Sequence, residues 1–178
     1  MKEPTTPEEL WELHQILRKD PQRYLRIVDG WIQENPRNSD AYYSRHLGWK
    51  EIGEPRKALD DVNKAIEFDS APCAASFAAR GNMYRHIGEY EAALQDYRQS
   101  EALDPESYGE GFTMLNEADC HARLGDEAAA LECCARLPDN FWTPGPHDAP
   151  PGDKAAIAAR LRIIAAEARA AANRGEAG

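Results

Sequence analysis

The sequence predicts an all-α fold: a right-handed α-solenoid of about four helix pairs, closed by a C-terminal helix. Three observations carry this. Gly53, Gly88 and Gly125 stand 35 and 37 residues apart, and each is followed five positions later by an alanine, Ala58, Ala93 and Ala130. Around each glycine the same skeleton recurs, clearest over Arg80–Pro105, good over Leu47–Asp69 and weaker over Ala118–Cys134. Each period holds two stretches of helical apolar spacing. A period in the mid-thirties with two helices per unit is the signature of a stacked helical array.

The elements follow from caps and breakers. Thr6 is placed to cap a helix with Pro7 at its first position and Glu9 completing a capping box, giving a helix from about Pro7 to Lys19. Asp20-Pro21 repeats the device and opens a helix to about Glu34, which the Asn35–Asn38 run breaks. A third helix runs from about Ser39 to Ile52 and ends at Gly53, suited to a left-handed cap. Pro55 starts the next, to about Phe68. A further pair spans about Cys73–Ile87 and Tyr90–Leu103, stopped by Asp104-Pro105. The last pair covers about Ser107–Leu124 and Asp126–Leu137.

Beyond Pro138 the pattern changes. Residues 138–152 hold five prolines with Phe141 and Trp142 among them, too proline-dense for a helix. The stretch reads either as a connector that folds its aromatics onto the end of the stack or as a recognition loop. Asp153 then caps an alanine-rich helix to about Asn173, with Ile157, Leu161, Ile164 and Ala168 as its apolar stripe. A solenoid needs such a terminal element to cover its last apolar face. The resulting division is a repeat array over 5–137 (about 5–38, 39–73, 74–107 and 108–137), a Pro-rich loop over 138–152, a capping helix over 153–174 and a disordered tail over 175–178.

Composition narrows the function. The chain has 178 residues, a formal net charge of −10 and 42% hydrophobic residues, with a mean hydropathy of −0.70 and a pI near 5.0. So acidic a surface repels phosphate backbones and argues against nucleic acid. No apolar run is long enough to span a bilayer and the N-terminus has no signal-peptide pattern, so the expected compartment is the cytoplasm. The four cysteines show no disulfide-framework spacing. Cys120, His121, Cys133 and Cys134 look like ligands when written together, yet they lack CxxC or HxxxH spacing and fall on interior slots. They therefore read as packing residues, with Cys133 the most exposed of the group and no metal or cofactor expected. His46 reads as a packed histidine. Glu8-Glu9, Asp60-Asp61 and Glu89 with Glu91 read as solvated helix faces. No nucleophile elbow, phosphate loop or opposed carboxylate pair appears, so no enzyme is expected.

The repeats resemble the tetratricopeptide repeat. The copy from Ala74 supplies Phe77, Gly81, Tyr84, Ala93, Tyr97, Ser100 and Pro105. The copy from Ser39 supplies Tyr42, Trp49, Ala58, Val62 and Ala65, with His46 in a small-residue slot. The copy from Gly111 supplies Met114, Ala118, His121, Ala130, Cys134 and Leu137. The copy from Thr5 keeps the helix pair and Pro36, with Trp31 in an alanine slot. The resemblance covers about three-quarters of the chain and implies a protein-interaction adaptor or scaffold that holds a peptide or protein segment in a concave groove lined by the first helix of each pair. The matching stripe is Tyr43, Leu47 and Lys50. One repeat later it is Ala78, Asn82 and Arg85, and then Leu115, Asp119 and Ala122. Tyr43, Leu47, Lys50, Asn82, Arg85, Leu115 and Asp119 are thus the candidate partner-binding residues. Some proteins of this kind grip a C-terminal carboxylate with lysine, asparagine and arginine from successive first helices. Lys50, Asn82 and Arg85 form a partial set, with Asp119 standing where another donor would help, which points to an acidic segment or a C-terminal carboxylate. A chaperone for a secreted effector and an inhibitory, toxin-neutralising partner are the alternative functions.

Overall fold

The computed structural model describes residues 2–109, 112–143 and 152–175. The chain forms two compact units, residues 1–87 and 88–178. The fold class is all-α: among the described residues the only sheet is a pair of two-residue strands.

The first unit holds α1 (Pro7–Lys19), α2 (Pro21–Glu34), α3 (Ser39–Glu51), α4 (Pro55–Phe68) and α5 (Ala74–His86). The Thr6 hydroxyl accepts from the Glu9 amide, and the Glu9 carboxylate accepts from the Thr6 amide, completing the capping box. Asp20 and Asn38 cap α2 and α3 by one bond each, their side chains accepting from the Arg23 and Ala41 amides. Each of these caps satisfies amides that the first helical turn leaves without a partner. Successive helices pack against one another, α1 on α2, α2 on α3, α3 on α4 and α4 on α5. Leu13, Ile16, Tyr24, Val28, Trp31 and Ala41 form one buried cluster. Tyr24 is almost wholly enclosed, yet its hydroxyl donates to the Ser44 carbonyl at 3.0 Å. Burial pushes that phenol up to about 12.

The second unit holds α6 (Tyr90–Leu103), α7 (Pro105–Gly109), α8 (Phe112–Arg123), α9 (Glu127–Arg136), β1 (Trp142–Thr143), β2 (Gly152–Asp153) and α10 (Lys154–Asn173). The sequence predicts a helix from about Ser107 to Leu124; the described residues place helix over α7, which begins earlier at Pro105, and over α8, while residues 110–111 between them lie outside the described residues. The reason for the earlier start lies in Asp104-Pro105. These residues stop α6, and the Asp104 carboxylate then accepts from the Ser107 amide, starting a new turn as Asp20-Pro21 does.

α10 lies along α8 and α9. Ile157, Leu161 and Ala165 are fully buried, whereas Ile164 and Ala168 are part-buried, so the seam follows i, i+4, i+8. Polar contacts fix both ends. Lys154 Nζ donates to the carbonyls of Ala135 and Leu137 at the end of α9. Arg169 donates to the Gly125 carbonyl and to Glu127 near the start of α9.

The two aromatics after Pro138 part company. Phe141 is buried and meets Phe112 edge-on at 5.4 Å, while Trp142 is 62% exposed on β1, which pairs antiparallel with β2. The central prolines of that stretch, 144–151, and the end of the expected tail, 176–178, lie outside the described residues. Gly53, Gly88 and Gly125 all adopt positive φ, as their place at helix ends requires.

Candidate partner-binding surface

α3 carries the candidate stripe of the first unit. Lys50 is exposed, and Tyr43 and Leu47 are part-exposed beside it. Tyr43 packs edge-on against His46 with ring centroids 4.6 Å apart, and burial raises its phenol pKa. His46 is 2% exposed. Its Nδ1 meets the Tyr43 carbonyl, which can only accept, so Nδ1 carries the proton. Burial pushes this imidazole down to about 4, and the Lys50 charge acts in the same direction.

On α5, Asn82 is part-buried and Arg85 is only 7% exposed. Arg85 is therefore an interior side chain, and its charge is not displayed beside Lys50. In the second unit Leu115 is 1% exposed and Asp119 is fully enclosed, with Arg123 Nε donating to it at 2.9 Å. The stripe thus divides. Tyr43, Leu47, Lys50 and Asn82 offer surface; Arg85, Leu115 and Asp119 do not. The physical reason in the second unit is the packing of α8, which α6, α7, α9 and α10 all contact.

Other expectations change similarly. Phe77 and Tyr84 are part-buried, while Tyr97 is the fully enclosed aromatic of the Ala74–Pro105 copy. Cys133 is buried, and desolvation followed by the nearby Glu117 charge pushes its thiol up to about 12. Cys73 is the exposed cysteine, its pKa lowered chiefly by the Ser76 hydroxyl.

Asp61 departs furthest from the sequence reading. It is 2% exposed, not part of a solvated face. Arg45 reaches it from α3 through two parallel hydrogen bonds of 2.7 Å, and Trp49 Nε1 donates to it at 2.9 Å. The same guanidinium donates to Asp29 on α2 at 2.8 Å. One arginine thus ties three helices together, and Asp61 and Asp29 raise its pKa further. The signal was in the spacing. Ala58, Asp61, Val62 and Ala65 stand at i, i+3, i+4, i+7, which puts Asp61 on the buried stripe of α4.

No family model matches the chain. Solved structures do. YrrB, a TPR protein with an unusual peptide-binding site, superposes with a TM-score of 0.61 at 17% identity, over 72% of this chain and 63% of YrrB. This chain therefore spans less than two-thirds of YrrB's length. MamA gives a TM-score of 0.63 at 13% identity, over 98% of this chain and 99% of MamA. TTC0263, a thermophilic TPR protein of Thermus thermophilus, gives 0.61 at 19% identity, over 94% of this chain and 83% of TTC0263. The chain has the tetratricopeptide-repeat fold, an α-solenoid architecture. Among the described residues no helix is long and apolar enough to cross a membrane.

Proposed function

We propose that this protein is a non-catalytic adaptor that holds a peptide or protein segment against the first helix of its pairs. The observation that carries the reading is the face of α3, where exposed Lys50 stands beside part-exposed Tyr43 and Leu47. A displayed cation flanked by an aromatic and an aliphatic wall suits an extended segment carrying an acidic side chain or a C-terminal carboxylate. Part-buried Asn82 on α5 holds the matching stripe position one repeat later. The likeness of fold to repeat scaffolds supports the class of function and not the choice of residues. The net charge of −10 makes nucleic acid a poor partner, and we place the protein in the cytoplasm.

The test places a photo-crosslinking amino acid at Leu47 and, separately, at exposed Glu67 on α4. Charge-assisted contacts of this kind contribute roughly 1.5–3 kcal/mol, so Lys50→Glu should weaken binding of the captured partner roughly tenfold or more. Arg85 is left intact, because reversing a buried charge would unfold the helix rather than test the surface. Capture from Glu67 and not from Leu47, or unchanged affinity in Lys50→Glu, would overturn the reading.

A further inference from the structure

In the second unit three side chains of different chemistry converge. Glu117 and His121 stand four residues apart on one face of α8, and Cys133 faces them from α9. One ligand atom from each, a carboxylate oxygen, an imidazole nitrogen and the sulfur, lie within 4.8 Å of one another. Four-residue spacing stacks two side chains one above the other on a helix, and the neighbouring helix brings the third. Glu117 and Cys133 are 5% and 6% exposed. The His121 side chain keeps 15% of its surface, which leaves a way in from solvent.

We propose that Glu117, His121 and Cys133 bind a thiophilic divalent cation of the zinc class, with the fourth position left to water. Carboxylate, imidazole and thiolate are the donors zinc takes. Metal–ligand distances of about 2.0–2.3 Å put tetrahedral ligand atoms roughly 3.3–3.7 Å apart. Closing 4.8 Å to that range takes about 1 Å, within reach of side-chain rotation on two fixed helices. A supporting contact is already present. The Tyr108 hydroxyl donates to Glu117 Oε2 at 2.6 Å, restraining the carboxylate as outer partners of metal ligands do. The sequence spacing conceals this site. Neither CxxC nor HxxxH occurs, and the set becomes visible only once α9 is folded against α8.

The experiment uses the full chain, freed of metal, titrated with Co²⁺ and then displaced by Zn²⁺. One equivalent of Co²⁺ should give the charge-transfer absorption of a thiolate–cobalt bond, and one equivalent of zinc should remove it. Cys133→Ala should abolish the band, whereas Cys73→Ala, which removes the exposed thiol, should keep it. Glu117→Gln should weaken binding while retaining the metal-free helical circular dichroism. Tyr108→Phe should cost roughly 10–100-fold in affinity as the loss of an outer partner. If Cys133→Ala disturbs the fold, Glu117→Gln and Tyr108→Phe decide the question. The proposal is overturned if the parent gives no band, if Cys73→Ala loses it, or if Glu117→Gln and Tyr108→Phe both bind Co²⁺ as tightly as the parent.

Discussion

Asp61 in the first unit and Glu117 in the second are both buried carboxylates, and their surroundings differ. In residues 1–87 Asp61 is met by a guanidinium in fork geometry and by an indole N–H. In residues 88–178 Glu117 is met by a phenol, with an imidazole and a thiol close by. A buried anion costs several kcal/mol unless it is compensated. The first unit supplies the compensating charge from its own α3. Glu117 has no guanidinium fork of this kind: a phenol donates to it, the Arg136 charge acts on it, and two further metal-ligand types stand beside it. The contrast is between an acid held by a bidentate arginine and an acid held by a single phenol hydrogen bond.

The same chemical change in both units should therefore have unequal effects. Asp61→Asn removes the anion, replaces one of the two fork acceptors by an NH2 and leaves Asp29 as the one carboxylate on Arg45. It should cost about 3 kcal/mol, read as a lowered urea midpoint. Glu117→Gln keeps an acceptor for Tyr108 and should cost about 1 kcal/mol in metal-free protein. Equal losses would erase the distinction.

His46 gives the first unit a pH dependence. Above about pH 6.5 the ring is neutral in both folded and unfolded chains and contributes no slope. As the pH falls below that, the unfolded chain takes a proton that the folded chain refuses. Stability therefore drops until the pH reaches about 4, where the folded ring also protonates. The loss across that window is about 3 kcal/mol at most. Because carboxylates titrate in the same range, the readout is the difference between the parent and His46→Asn, which should flatten the profile from about pH 6.5 to about 5. A slope unchanged in that variant would remove His46 as its source.

The helix-end glycines sharpen the contrast at smaller scale. Alanine at Gly53 meets no atom within 4 Å, so its cost is that of a left-handed residue, about 1–2 kcal/mol. Alanine at Gly125 pays the same conformational cost and also meets Arg169 Cγ at 3.0 Å. Thermal melts should show Gly125→Ala the less stable by a few tenths of a kcal/mol. The reverse order would mean that Arg169 gives way freely.

The helix ends were legible because local chemistry sets them. A cap followed by proline at Thr6-Pro7 and Asp20-Pro21, and a glycine at 53, 88 and 125, act within a few residues of themselves. The exposure of the candidate residues was legible only where it depends on one helix, as for Tyr43, Leu47 and Lys50. Carrying the register forward to Leu115 and Asp119 assumes that equivalent positions have equivalent neighbours. The helices packed on α8 break that assumption, and no period in the sequence reports them. Asp61 failed for a different reason. Beside Asp60 it looks like half of a charged pair, whereas a helix turns successive residues about 100° apart and sends the two to different surroundings.

The polar stitching of α10 bears on how the second unit opens. Lys154 takes up carbonyls at the end of α9, and Arg169 holds the turn before its start. The last turn of α9 cannot fray without releasing that ammonium, and α10 cannot lift without baring the surface over Ile157 and Leu161. The two helices should therefore behave as a single foldon. Their slow amides should exchange with solvent deuterium at one shared opening free energy, although residues 137–153 separate the end of one helix from the start of the other.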